Sequence, residues 1–137
     1  MAEPAPEMIA PVLTVAEFMR TLDPAGLVDA FVEQPIILEN FPPYLFGGAD
    51  GAGRWYQGFR SRAAGLGLSA LQVAFGPAQD FSSDGRRAYF VLPTTWTGQS
   101  TEGPFTETGG WVFLLSAEGG RWRIASYAWA VTSFQAG

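Results

Sequence analysis

Ala117-Glu118-Gly119-Gly120-Arg121-Trp122-Arg123-Ile124-Ala125-Ser126-Tyr127-Ala128-Trp129 is the stretch that decides the fold. A four-residue turn closing on paired glycines stands between two long runs rich in aromatic and branched residues. That pattern predicts a β-hairpin, with one strand over Pro104–Ser116 and its partner over Arg121–Phe134. Strict alternation would put Tyr127 and Trp129 on one face and Trp122 and Ile124 on the other. Both faces are then apolar. One can close a core or pocket, and the other needs cover, which predicts a homodimer.

Working outward, Arg87–Gly98 reads as a long strand, Ser82–Gly85 as a turn, and Ala70–Asp80 as one more strand. The N-terminal half reads differently. Residues 1–11 are rich in Pro, Glu and Ala and are expected as a flexible tail. Thr14 is placed to cap a helix over 15–22. Asp23-Pro24 reads as a second helix start, carried by Leu27, Val28, Phe31 and Val32 and ended before Pro35. Ile36–Phe41 is a strand, broken by Pro42-Pro43 and resumed at Tyr44. Asp50 is expected to cap a third helix over 51–65, with Trp55, Phe59 and Ala63 on one face and Tyr56 beside them. Helices first and an antiparallel meander after them predict an α+β fold in one domain over 12–137, with about three N-terminal helices packed on a curved sheet.

The 137 residues include no histidine, cysteine or lysine. This removes the usual neutral-pH base, thiolate chemistry, soft metal ligands and Schiff-base amines. Disulfides are excluded as well. A net charge of −5 argues against a nucleic-acid partner. Met1–Val12 has neither a basic start nor a sustained apolar run, so no membrane partner and a cytoplasmic location are expected. Gly47–Gly53 lacks both the phosphate-loop ending and the dinucleotide spacing. No cofactor and no metal are expected.

The element order and the hairpin with its Gly-Gly-Arg-Trp-Arg-Ile ending resemble the nuclear transport factor 2-like superfamily over about residues 12–134. The group includes ketosteroid isomerases, SnoaL-type polyketide cyclases and scytalone dehydratase. The resemblance implies a cone: a strongly bent, mostly antiparallel sheet wrapped on helices around one deep pocket. Val32-Glu33-Gln34-Pro35 is similar to the isomerase run that carries the base, but Gln34 stands at the base position. Phe18 stands where the oxyanion tyrosine is expected. An amide cannot take up that proton, so a standard ketosteroid isomerase is not implied.

Catalytic candidates are therefore two carboxylates. Glu39 follows an apolar run and shares the face of Ile37 if the strand alternates, where burial would raise its pKa. Glu107 shares a face with Phe105, Gly109 and Trp111. Tyr44, Trp55, Tyr56, Phe59, Trp96, Trp111, Tyr127 and Trp129 are the candidate binding residues. The expected ligand is a small apolar or ring-containing molecule. Two other functions fit the same residues: a histidine-free lyase, isomerase or cyclase using Glu39 as acid–base group, and a protein-interaction module dimerising through its sheet.

Overall fold

A computed structural model describes residues 3–137; Met1 and Ala2, the first two residues of the expected tail, lie outside the described residues. It is an α+β fold with two α-helices, α1 (Pro6–Thr21) and α2 (Gly51–Leu66), and strands β1 (Phe31–Leu38), β2 (Leu45–Gly47), β3 (Ser69–Phe75), β4 (Gln79–Ser83), β5 (Arg87–Ser100), β6 (Gly103–Glu118) and β7 (Arg121–Ala136). The strands form one seven-stranded sheet in the order β2-β1-β7-β6-β5-β3, with β4 also paired to β5. Only β1 and β7 run parallel; the other pairs are antiparallel. Among the described residues no helix is long and apolar enough to cross a membrane.

The β6–β7 hairpin forms where expected, and its turn is tighter. Gly119 and Gly120 alone make the loop, both at positive φ (56° and 79°). A two-residue loop with both central residues in that region matches the twist of the flanking strands, and glycine adopts it without strain.

The expected face assignment in β7 is corrected. Leu115 pairs with Ile124 and Leu114 with Ser126, so Ala125 is an extra residue in β7. This bulge brings Ile124 and Tyr127 onto the same buried face, both almost fully inaccessible.

The N-terminal expectations change most. The supposed tail is helical from Pro6, which sits in the first turn where its missing N–H costs nothing. The reason α1 begins so early is packing. Met8, Val12, Val15 and Phe18 form one buried stripe at helical spacing. Thr14 is consequently mid-helix, with its hydroxyl donating to the Ala10 carbonyl (3.2 Å).

The expected second helix reduces to a 3-10 turn at Val28–Ala30. Gly26 at φ +74° stops an α-helix from propagating, and Asp23 caps only a local turn, accepting from the Ala25 N–H at 3.0 Å. Phe31 and the residues after it enter β1 instead. Between the Phe31–Ile124 and Ile36–Ser126 pairs, β1 advances five residues while β7 advances two. Pro35 fits within that bulge because it has no ladder donor to lose.

The run 70–80 is likewise two strands. Gly76-Pro77 separates β3 from β4, and both pair with β5. A Cβ on Gly76 would come within 3.2 Å of Pro93, so the bare backbone is what lets the chain cross there.

The core lies between the sheet's inner face and the helices. Trp55 of α2 is fully buried at its centre, with ring centroids 5.4 Å from Phe18 and 5.9 Å, edge-on, from Tyr127. Phe90, Phe113, Leu115 and Ile124 close the sheet side.

Candidate functional site

Strand β1 delivers Glu39. Ile37 is fully buried, whereas Ile36 and Leu38 are half exposed, so the strand alternates as expected and Glu39 points inward with Ile37. Its backbone N–H donates to the Tyr44 carbonyl (2.9 Å), closing the loop that contains the cis Pro42-Pro43 bond.

The Glu39 carboxylate is held from two sides. Oε2 accepts from the Trp55 indole N–H (2.8 Å) and from the Tyr127 hydroxyl. Ile37 pairs directly with Tyr127 across the parallel β1–β7 ladder, which fixes that contact. Burial pushes the Glu39 carboxyl up to about 7; the Tyr127 and Trp55 hydrogen bonds restrain the rise, the Glu107 charge adds to it, and the Arg62 charge opposes it. Burial first, then the Glu39 charge and the bond to it, push the Tyr127 hydroxyl well above its ordinary value. Tyr127 therefore stays a neutral donor.

Glu107 stands on β6 opposite Trp96 of β5, and its Oε2 accepts from the Trp129 indole N–H (2.9 Å). No bulge interrupts β6, so Phe105, Glu107, Gly109 and Trp111 share the inner face as the alternation predicts. A Cβ on Gly109 would lie 2.1 Å from the Ala130 carbonyl oxygen. The extra residue in β7 between Val131 and Ser133, opposite Thr108 and Gly109, is what brings that carbonyl so close.

Glu39 and Glu107 both line one cavity of about 240 Å³ inside the cone. Trp96, Trp111, Trp129, Phe59 and Leu71 supply apolar wall, and Arg62, Glu102 and Phe134 stand among the residues around it. Trp111, itself buried, leaves its indole N–H without a hydrogen-bond partner. Among the described residues no three acidic side chains converge as a metal site would need.

The predicted site residues thus separate into three groups. Glu39, Glu107, Phe59, Trp96, Trp111 and Trp129 line the cavity. Trp55 and Tyr127 lie one layer behind and hold Glu39. Tyr44 and Tyr56 do not join them. Tyr44 is 58% exposed at φ +70°, in a turn that carries its ring outward. Tyr56 packs edge-on against Phe18 (5.8 Å), on the α1 side of α2. Gln34, at the position resembling the isomerase base, is exposed on β1, and Phe18 is core. The inward acid is five residues further on, at Glu39.

Sequence reasoning missed Phe41, Arg62, Phe105 and Phe134 as cavity residues. Arg62 follows Phe59 by one helical turn, and Phe105 alternates with Glu107, so those two were within reach of the periodicities already in use. Phe134 stacks on Phe105 (6.1 Å, 15°), a contact between strand ends that no local pattern signals.

No family model and no curated protein matches this chain. Solved structures do. A protein from Kribbella flavida is similar at TM-score 0.77 and 13% identity, over 94% of this chain and 90% of that one. A hexachlorocyclohexane dehydrochlorinase of type 2 is similar at TM-score 0.76 and 8% identity, over 91% and 82%. A ketosteroid isomerase-like protein from Erwinia carotovora atroseptica is similar at TM-score 0.70 and 14% identity, over 92% and 94%. At these identities the likeness is one of architecture, and it agrees with the element order and the bent sheet. The chain has the cone fold of the nuclear transport factor 2-like superfamily.

Proposed function

We propose that the cone binds a small apolar or ring-containing molecule and that Glu39 exchanges a proton with it, as in a histidine-free isomerase, lyase or cyclase. One observation carries this reading: an inward carboxylate at the cavity wall, held by Tyr127 and Trp55, with its pKa raised to about 7. A group poised there is half ionised near neutral pH and can both accept and return a proton. This chain has no histidine to do so. Glu107 is the second polar contact, and the indoles of Trp96, Trp111 and Trp129 supply apolar wall.

The test is a carbon-13 titration of the Glu39 carboxyl, paired with indole fluorescence during titration with a panel of ring ketones, phenols and aromatic hydrocarbons. Support would be a midpoint near 7 that moves when a panel member binds. An ordinary carboxylate midpoint together with no ring compound bound would sink the reading.

A second copy of the chain is the proposed partner of the outer sheet face. Leu38, Ala128, Val112 and Val91 align in one row across β1, β7, β6 and β5, and Ile36, Ser126, Leu114 and Tyr89 form the next. These side chains are exposed or half-buried in the single chain. A mostly apolar sheet face of that extent favours a self-complementary, two-fold contact.

A further inference from the structure

We infer that the cavity takes its ligand as a cation: an organic ammonium group carried on an apolar, ring-sized body. This rests on the reading of the cone as a small-molecule pocket and adds the charge of what enters it.

The balance of charge is the first reason. Three acids, Glu39, Glu102 and Glu107, line the cavity against one base, Arg62; Glu102 is exposed, which leaves Glu39 and Glu107 as the inner acids. Arg62 is exposed, with its guanidinium 5.7 Å from the centroid of the Phe41 ring. The two inner acids have no basic partner within ion-pair distance; every such pair among the described residues lies elsewhere.

Hydrogen bonding is the second. Each inner carboxylate uses Oε2 for its protein donors, Trp55 and Tyr127 on Glu39 and Trp129 on Glu107. Among the described residues neither Oε1 receives a side-chain donor, so each keeps acceptor capacity for a ligand N–H.

The walls are the third. Indole faces are the strongest aromatic partners for a cation, and three tryptophans stand around these two acids.

The competing charges fit worse. A neutral apolar ligand would strip water from the inner acids without supplying any counter-charge. An anion would have to sit between two carboxylates.

The test uses three probes of similar size on the whole chain: 2-phenylethylammonium, 2-phenylethanol and phenylacetate. Binding is followed by indole fluorescence and by the indole N–H resonances of Trp96, Trp111 and Trp129. The ammonium should bind about tenfold tighter than the alcohol, with phenylacetate weakest. Glu107→Gln keeps an acceptor for Trp129 and should cut the preference for the ammonium several-fold. The wild-type comparison needs no variant, so a misfolded Glu107→Gln would not remove the test. Alcohol or phenylacetate binding as tightly as the ammonium would overturn the inference and leave the pocket reading standing. A preference that both Glu107→Gln and Glu39→Gln leave intact would place the ammonium outside the cavity and also overturn it. If no probe perturbs the indoles, the pocket reading falls too.

Discussion

Glu39 and Tyr127 are 88 residues apart, yet the Tyr127 hydroxyl donates to the Glu39 carboxylate. The parallel pairing of β1 with β7 makes this possible, because it sets Ile37 beside Tyr127 and leaves Glu39 two residues along the same face. The bond ties the Glu39 carboxyl to the deepest part of the core. Tyr127 is buried against Trp55, Trp111 and Phe113, so its hydroxyl has little freedom to move away.

Removing that hydroxyl should raise the Glu39 pKa further above 7, since the Tyr127 bond is the larger of the two hydrogen bonds that hold it down. Tyr127→Phe keeps the ring and its packing, so the fold should lose only about 1–2 kcal/mol. Carbon-13 titration of Glu39 in this variant reads the shift. An unchanged or lower midpoint would mean that the hydroxyl does not favour the ionised carboxylate.

Ionising Glu39 costs stability, and the sign follows from the direction of its shift. The folded chain holds this proton up to about 7, against an ordinary 4.5. Below 4.5 both states are protonated and nothing is lost. As pH rises from 4.5 through 7 the folded state pays a growing cost, reaching roughly 3 kcal/mol above 7. Glu39→Gln cannot ionise, and its amide oxygen still accepts from Trp55 and Tyr127. Relative to the wild type it should therefore gain up to about 3 kcal/mol between pH 5 and 8.5. Urea unfolding of both proteins across that range measures it; a difference that stays flat with pH would show that Glu39 titrates normally.

At two neighbouring glycines the consequences diverge. A methyl group on Gly109 would meet the Ala130 carbonyl at 2.1 Å and the Trp129 ring at 3.0 Å, whereas on Gly110 it would meet only a Val91 methyl at 3.5 Å. Gly109→Ala should cost about 3 kcal/mol and displace Trp129, loosening its bond to Glu107. Gly110→Ala should stay within about 1 kcal/mol of wild type. Thermal melts of the two variants rank them, and equal losses would refute the close approach at Gly109.

Some of this site was legible in the sequence and some was not, for physical reasons that differ by residue. Glu39 was readable as inward because the period of a strand is two and Ile37 is unambiguously apolar. Glu107 was readable in the same way along β6. Its partner Trp129, like the Tyr127–Glu39 contact, depends on register between strands. That register is shifted by the extra residue at Ala125 and by another beyond Val131, and neither is a glycine or proline that would announce it. Tyr44 was misread because an aromatic residue in a turn follows the backbone, here at φ +70°, rather than the nearest cavity. The start of α1 was misread because Pro and Glu look like tail composition, although Met8, Val12 and Val15 already carry the buried period.

The outer face of the sheet gives the last prediction. If Leu38, Ala128, Val112 and Val91 meet the same row of a second copy, the protein should sediment at twice its 14.7 kDa chain mass. Val112 sits in the middle of that row, half-buried in the single chain and paired to both Ala128 and Val91. Placing a carboxylate there would bury two like charges near the two-fold axis. Val112→Glu should weaken association by at least about a hundredfold while leaving the inner cavity, on the opposite side of β6, able to bind what the wild type binds. Sedimentation equilibrium on both proteins decides it. A wild type that stays a single chain at tens of micromolar would remove the second copy as occupant of this face, and a variant that stays dimeric would move the contact elsewhere.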